Sequence, residues 1–83
     1  MKLEDIVSDE KMNEEFLGTD FGSMTHREVL SLSVLKCASG YYQGHTSMTI
    51  SKNLGLIALN DPYRLTQKGM AYLWECFRNG SNF

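Results

Sequence analysis

Apolar residues recur at helical spacing in several segments of this chain and at strand spacing in one. Leu3, Ile6 and Val7 open the first helical segment, and Met12, Phe16 and Leu17 continue it loosely. Ser8 followed by Asp9 and Glu10 suits a helix start, because carboxylates there offset the positive end of the helix dipole. Gly18 ends the segment. The pattern predicts one or two short helices and then a linker over 18–24.

The next boundary is sharper. Thr25-His26-Arg27-Glu28 is a capping box: the Thr25 hydroxyl accepts from the Glu28 amide, and the Glu28 carboxylate reaches back. Met24 and Val29 stand at the positions of a hydrophobic staple. The helix runs from His26 to about Ser39. Leu30, Val34, Cys37, Ala38 and Tyr41 make one stripe, while Val29, Leu32 and Leu35 lie off it. A helix apolar on most sides is a central one. Gly40 stops it. Thr46 or His45 then caps a helix to Leu54, with Gly55 as its left-handed terminator. Ser47, Ile50, Ser51 and Leu54 share its packing face; His45, Thr49, Lys52 and Asn53 share its polar face.

Leu56 to Leu59 is an apolar run fit for a strand, Asn60-Asp61-Pro62 is a turn, and Tyr63 to Leu65 is the return strand. Thr66 caps the last helix. There Met70, Leu73, Trp74 and Phe77 fall at i, i+3, i+4 and i+7, the cleanest amphipathic stripe in the chain. Arg78 and then Gly80 mark its end. Lys68 breaks the pattern, because a cation in the first turn opposes the dipole.

Composition narrows the function classes. Eighty-three residues argue for one domain of marginal size. The formal net charge is -2, unevenly divided. Residues 1–25 carry two lysines against seven carboxylates, and residues 26–83 carry six cations against three carboxylates. An acidic arm therefore precedes a mildly basic body, a hint of nucleic-acid contact. Cys37 and Cys76 sit in apolar helical patterns and read as buried reduced thiols rather than a disulfide. Two Cys and two His at scattered positions do not make a zinc site. The N-terminal stretch lacks a signal-peptide apolar run, and no segment approaches the ~20 apolar residues of a membrane span. A cytoplasmic location with no membrane contact is expected. His26 and His45 lack a nucleophile or carboxylate at catalytic spacing, and no glycine-rich phosphate loop appears, so no enzyme, metal or cofactor is expected.

The order of a central helix, a short helix ending in Leu54-Gly55-Leu56-Ile57, a hairpin, and Tyr63-Arg64-Leu65-Thr66-Gln67-Lys68-Gly69 opening a final helix resembles the winged-helix family of helix-turn-helix proteins. The likeness covers residues 26 to about 79, with a shortened second helix between Gly40 and His45. It implies a mainly α fold with a small β-hairpin: an acidic arm and linker over 1–24, then a winged-helix-like domain over 25–83. Gly55 lets the chain turn from helix to strand, and Gly69 lets the closing helix pack near the hairpin backbone.

Two functions follow from the resemblance. One is a small DNA-binding transcriptional regulator on double-stranded DNA. His45, Thr49, Lys52 and Asn53 would then face bases, and Arg27, Arg64 and Lys68 would touch phosphates. The other is an adaptor or small inhibitor, a class that includes phage proteins aimed at host machinery, binding a protein partner through Tyr42, Trp74, Phe77 and Phe83. Interfaces are enriched in such aromatics, and a homodimer through the closing helix combines both readings.

Overall fold

The structure is a computed structural model and describes residues 2–41, 44–58 and 64–78. These residues form α1 (Leu3–Ile6), α2 (Asp9–Glu15), α3 (His26–Ala38), α4 (His45–Asn53), β1 (Ile57–Ala58), β2 (Arg64–Leu65) and α5 (Gln67–Arg78). The architecture is mainly helical with one two-stranded antiparallel hairpin, in which Ile57 pairs with Leu65 and Ala58 with Arg64. Leu59, the Asn60-Asp61-Pro62 turn, Tyr63 and Gly80 lie outside the described residues.

Local chemistry sets the helix limits. At the start of α3, the Glu28 amide donates to Thr25 Oγ1 at 3.1 Å and the Thr25 amide donates to the Glu28 carboxylate at 2.9 Å. The Thr25 backbone amide first, and its side-chain hydroxyl second, hold the Glu28 carboxyl below its ordinary pKa. Val29 is buried while Met24 stays exposed. At the start of α4 the expected cap is replaced. Gly44, at φ 131°, is the N-cap, and His45 and Thr46 lie inside the first turn.

The end of α4 and the start of α5 form one joint. Gly55, at φ 79°, adopts the left-handed conformation that a side chain disfavours. It closes α4 with two bonds, Gly55 amide to Lys52 carbonyl and Leu56 amide to Ser51 carbonyl, each 2.9 Å. The Thr66 amide then donates to the Leu56 carbonyl at 3.0 Å, and the Gly69 amide donates to Thr66 Oγ1 at 3.0 Å. The Thr66 hydroxyl in turn donates to the Gly55 carbonyl. One threonine thereby caps α5 and ties it to the exit of α4. A β-carbon at position 69 would overlap the Leu56 carbonyl, so glycine is required by proximity.

Helix α3 is central and packs on α2, α4, α5 and β2. Its Val29, Leu30, Val34 and Cys37 are buried, together with Met48, Ile50 and Leu54 of α4 and its cap. Leu56, Ile57, Tyr72 and Cys76 complete that cluster. The buried serines Ser33 and Ser51 donate to the carbonyls of Val29 and Ser47, both at 2.8 Å. Tyr41 departs from its expected stripe and is 70% exposed, because the turn at Gly40 carries it off the helix axis.

The acidic arm joins the same core. Val7, Met12 and Phe16 are buried in the cluster that holds Tyr72 and Cys76, and α1 packs on α5. The linker contributes Phe21, edge-on to Phe16 at 5.7 Å.

Candidate interaction surfaces

The first surface is the outer face of α4. Ser47, Met48, Ile50 and Ser51 turn inward, which leaves His45, Lys52 and Asn53 exposed and Thr49 half-buried. The structure therefore brings the four expected base-facing residues onto one side of one helix, as their spacing predicts.

Of the three expected phosphate contacts, one is engaged inside the fold and the other two line concavities. Arg27 turns inward. Its Nη2 donates to the Val7 carbonyl at 3.0 Å and to Asp9, and its Nη1 donates to Tyr72 Oη at 3.4 Å. Burial disfavours its charge, but the bonds to Tyr72 and Asp9 outweigh that and raise its pKa. Lys68 lies over Gly55 and lines a cavity of about 310 Å³ with Glu4, Asp5, Lys11 and Asn53. Arg64 lines a different groove, and the two linings share no residue. Across the corner, the two cations thus line separate concavities, one of them beside the acidic arm.

The second surface is the outer face of α5. Met70 is 53% exposed, Trp74 64% and Phe77 60%, while Leu73 is half-buried and packs on the core. The most amphipathic stripe of the chain is thus largely at the surface. The reason lies in Gly69. Its close approach to Leu56 fixes the rotation of α5 so that Gly69, Tyr72, Glu75 and Cys76 face inward. The stripe then sits roughly 130° around the helix from the Gly69, Tyr72 and Cys76 line, at 100° per residue. Beside it runs a groove of about 520 Å³ lined by Cys37, Ala38, Gly40, Arg64, Leu65, Met70 and Leu73. Tyr42 and Phe83, the other expected interface residues, lie outside the described residues.

Sequence periodicity missed a buried polar chain behind this surface. Tyr72 is fully buried, and its hydroxyl meets Ser31 Oγ at 3.1 Å as well as Arg27. Cys76 Sγ donates to Ser31 Oγ at 3.7 Å. Burial pushes the Tyr72 hydroxyl and both thiols above their ordinary pKa values, and hydrogen bonds partly offset this at Tyr72 and Cys76. The available signal was the line Gly69, Tyr72, Cys76, since a glycine inside a helix points to close approach. A second unforeseen contact holds the arm: His26 Nδ1 meets Asn13 Oδ1 at 2.7 Å, and its ring stacks on Phe16. Glu75 is buried and pairs with Arg78 at 3.6 Å.

Among the described residues, no group of three or more His, Cys, Asp or Glu is placed to hold a metal ion. None of the helices there is long and apolar enough to cross a membrane. Cys37 and Cys76 are free thiols. Comparison of the chain with protein-family models, curated proteins and solved structures returns no match.

Proposed function

We propose that this chain is a protein-interaction module, an adaptor or small inhibitor on a winged-helix-like scaffold, which contacts its partner through the outer face of α5. One observation carries the reading: Met70 and Trp74 stand more than half exposed on a single helix face, beside a groove with an apolar wall. Contiguous apolar surface of this kind marks interaction sites in soluble proteins, and Trp is enriched among residues that dominate binding energy. The charge layout agrees. Asp9 neutralises Arg27, and Glu4 and Asp5 share a cavity with Lys68, which reduces the positive field that duplex DNA requires.

A photo-crosslinking amino acid at position 74, compared with one at position 52 on α4, tests this reading in cells. Protein adducts, whether with another protein or a second copy, are expected from position 74 and not from position 52. Adducts from neither position would remove the proposal.

A second reading is favoured by the outer face of α4. His45, Lys52 and Asn53 are exposed together there, and Asn and Lys are suited to adenine and guanine edges. A DNA-binding regulator would use that face, with Arg64 and Lys68 on phosphates. Since Arg27 is held internally, two phosphate contacts remain, for a salt slope of about -2. Titration against random duplex DNA at low and moderate salt decides: no binding at low salt eliminates this reading.

A further inference from the structure

We infer that the outer face of α5 receives an acidic amphipathic helix of a partner protein, whose apolar side chains fill the groove beside Met70 and whose carboxylates meet Arg64 and Arg78. The inference rests on the interaction reading above and names the chemistry of that partner.

Charge is the first ground. Helix α5 holds one carboxylate, Glu75, and it is buried. The charged side chains that α5 exposes, Lys68 and Arg78, are therefore both cations. Around the helix axis, at 100° per residue, Met70 lies about 40° to one side of Trp74 and Arg78 about 40° to the other. The Met70 side is the groove side, and Arg64 lines that groove. The apolar stripe is thus bordered by a guanidinium on each side. Arg78 Nη1 lies 3.6 Å from the Glu75 carboxylate, yet the arginine side chain stays 60% exposed. A guanidinium has five N–H donors, so one such pairing does not exhaust it. Arginine binds carboxylates through two parallel bonds, and complementary charge on the flanks fixes partner and register. The same pattern weighs against self-pairing through this face, which would bring like charges together.

Shape is the second ground. Ala38, Leu65, Met70 and Leu73 stand in the walls of the groove, which has a volume of about 520 Å³. A ridge of side chains fills such a concavity, whereas a flat lipid surface does not. An extended segment would set unpaired backbone groups against those apolar walls, at a cost that a helix avoids by bonding its own backbone. A helix laid in a groove is read through apolar anchors at i, i+3, i+4 and i+7.

Trp74 is the chain's only tryptophan, so its emission reports on this face. Three synthetic helical peptides that share one leucine stripe, with Glu, Gln or Lys at the flanking positions, are the probes. Titrated into the purified chain at low salt, the Glu peptide is expected to shift Trp74 emission to the blue and to bind at least fivefold tighter than the Gln peptide. The Lys peptide is expected to bind weakest. R64E and R78E should each weaken the Glu peptide at least threefold, and the double variant should favour the Lys peptide instead. Both positions are exposed, so circular dichroism should match the parent; R78Q gives the same test should R78E not fold. Gln or Lys peptides that bind as tightly as the Glu peptide would overturn the inference, as would binding indifferent to both arginines. A larger shift with vesicles of anionic phospholipid would assign the face to a lipid surface, and a shift on concentrating the chain alone would assign it to a second copy. Either result overturns the inference, and so does the absence of any shift. In that last case protein adducts from position 74 would leave the interaction reading standing, and no adducts would remove both.

Discussion

Gly69 of α5 lies against the carbonyl oxygen of Leu56, with no room for a β-carbon between them. This contact sets the rotation of the last helix, and through it decides which of that helix's residues are buried. Gly69→Ala forces the helix away from β1 and breaks the joint built on Thr66. We expect a loss of about 2–3 kcal/mol, the upper range for overpacking, read as a lower urea midpoint. An alanine variant as stable as the parent would show that the approach does not set the rotation.

The rotation also separates Trp74 from Tyr72, two residues apart on α5. Tyr72 is fully buried and hydrogen-bonded, so Tyr72→Ala should cost about 3–5 kcal/mol. Trp74 is mostly exposed, so Trp74→Ala should stay within about 0.5 kcal/mol at concentrations where the chain is monomeric. Reversal of that order in denaturant titrations would mean that the stripe faces the core after all.

This pair shows what the sequence makes legible and what it hides. The Thr25–Glu28 box, the Thr66 cap and the left-handed glycine at 55 were readable because each depends on residues close in sequence. The hairpin was readable because a turn-forming run separates two apolar ones. The face that α5 buries was not readable from periodicity. Met70, Trp74 and Phe77 outweigh Gly69, Tyr72 and Cys76 in hydrophobicity, yet contact with Leu56 and Ser31, which are distant in sequence, selects the latter. The internal bonds of Arg27 were hidden for the same reason: its partners Val7, Asp9 and Tyr72 are distant in sequence. The α4 face was legible because its packing residues define the polar side by exclusion.

Arg27 joins the arm to α3 and α5 through three acceptors. Arg27→Ala should cost about 2 kcal/mol, because it removes bonds to a backbone carbonyl and a buried hydroxyl as well as an ion pair. Asp9→Asn should cost less, below about 1 kcal/mol, because Asp9 is mostly exposed and its ion pair is screened by water. Thermal melts of the two variants provide the check, and equal shifts would assign the effect to the ion pair alone.

The Glu28 carboxylate is held in its charged form by the Thr25 amide and hydroxyl. A carboxyl whose folded pKa is depressed adds stability above its unfolded pKa, and that contribution is lost as pH falls through the lower folded value. Glu28→Gln should therefore flatten the acid limb of the stability–pH curve below the ordinary glutamate range, with little change in its slope near neutrality. An unchanged acid limb would place the pH dependence in other carboxylates.

Both thiols are buried and shifted toward the protonated form. Ellman's reagent should react slowly with the native chain and rapidly with two thiols in denaturant. Fast native reaction of one thiol would point to Cys37, which borders the groove.

The seat of α1 on α5 also bears on how the chain is made. Helix α1 finds its resting place only after α5, much later in the chain, has emerged, so Val7, Met12 and Phe16 must wait in a nascent chain whose core is incomplete. Closing so long a loop is slow compared with local helix formation. A segment rich in carboxylates resists aggregation over such an interval, and seven carboxylates lie within residues 1–25.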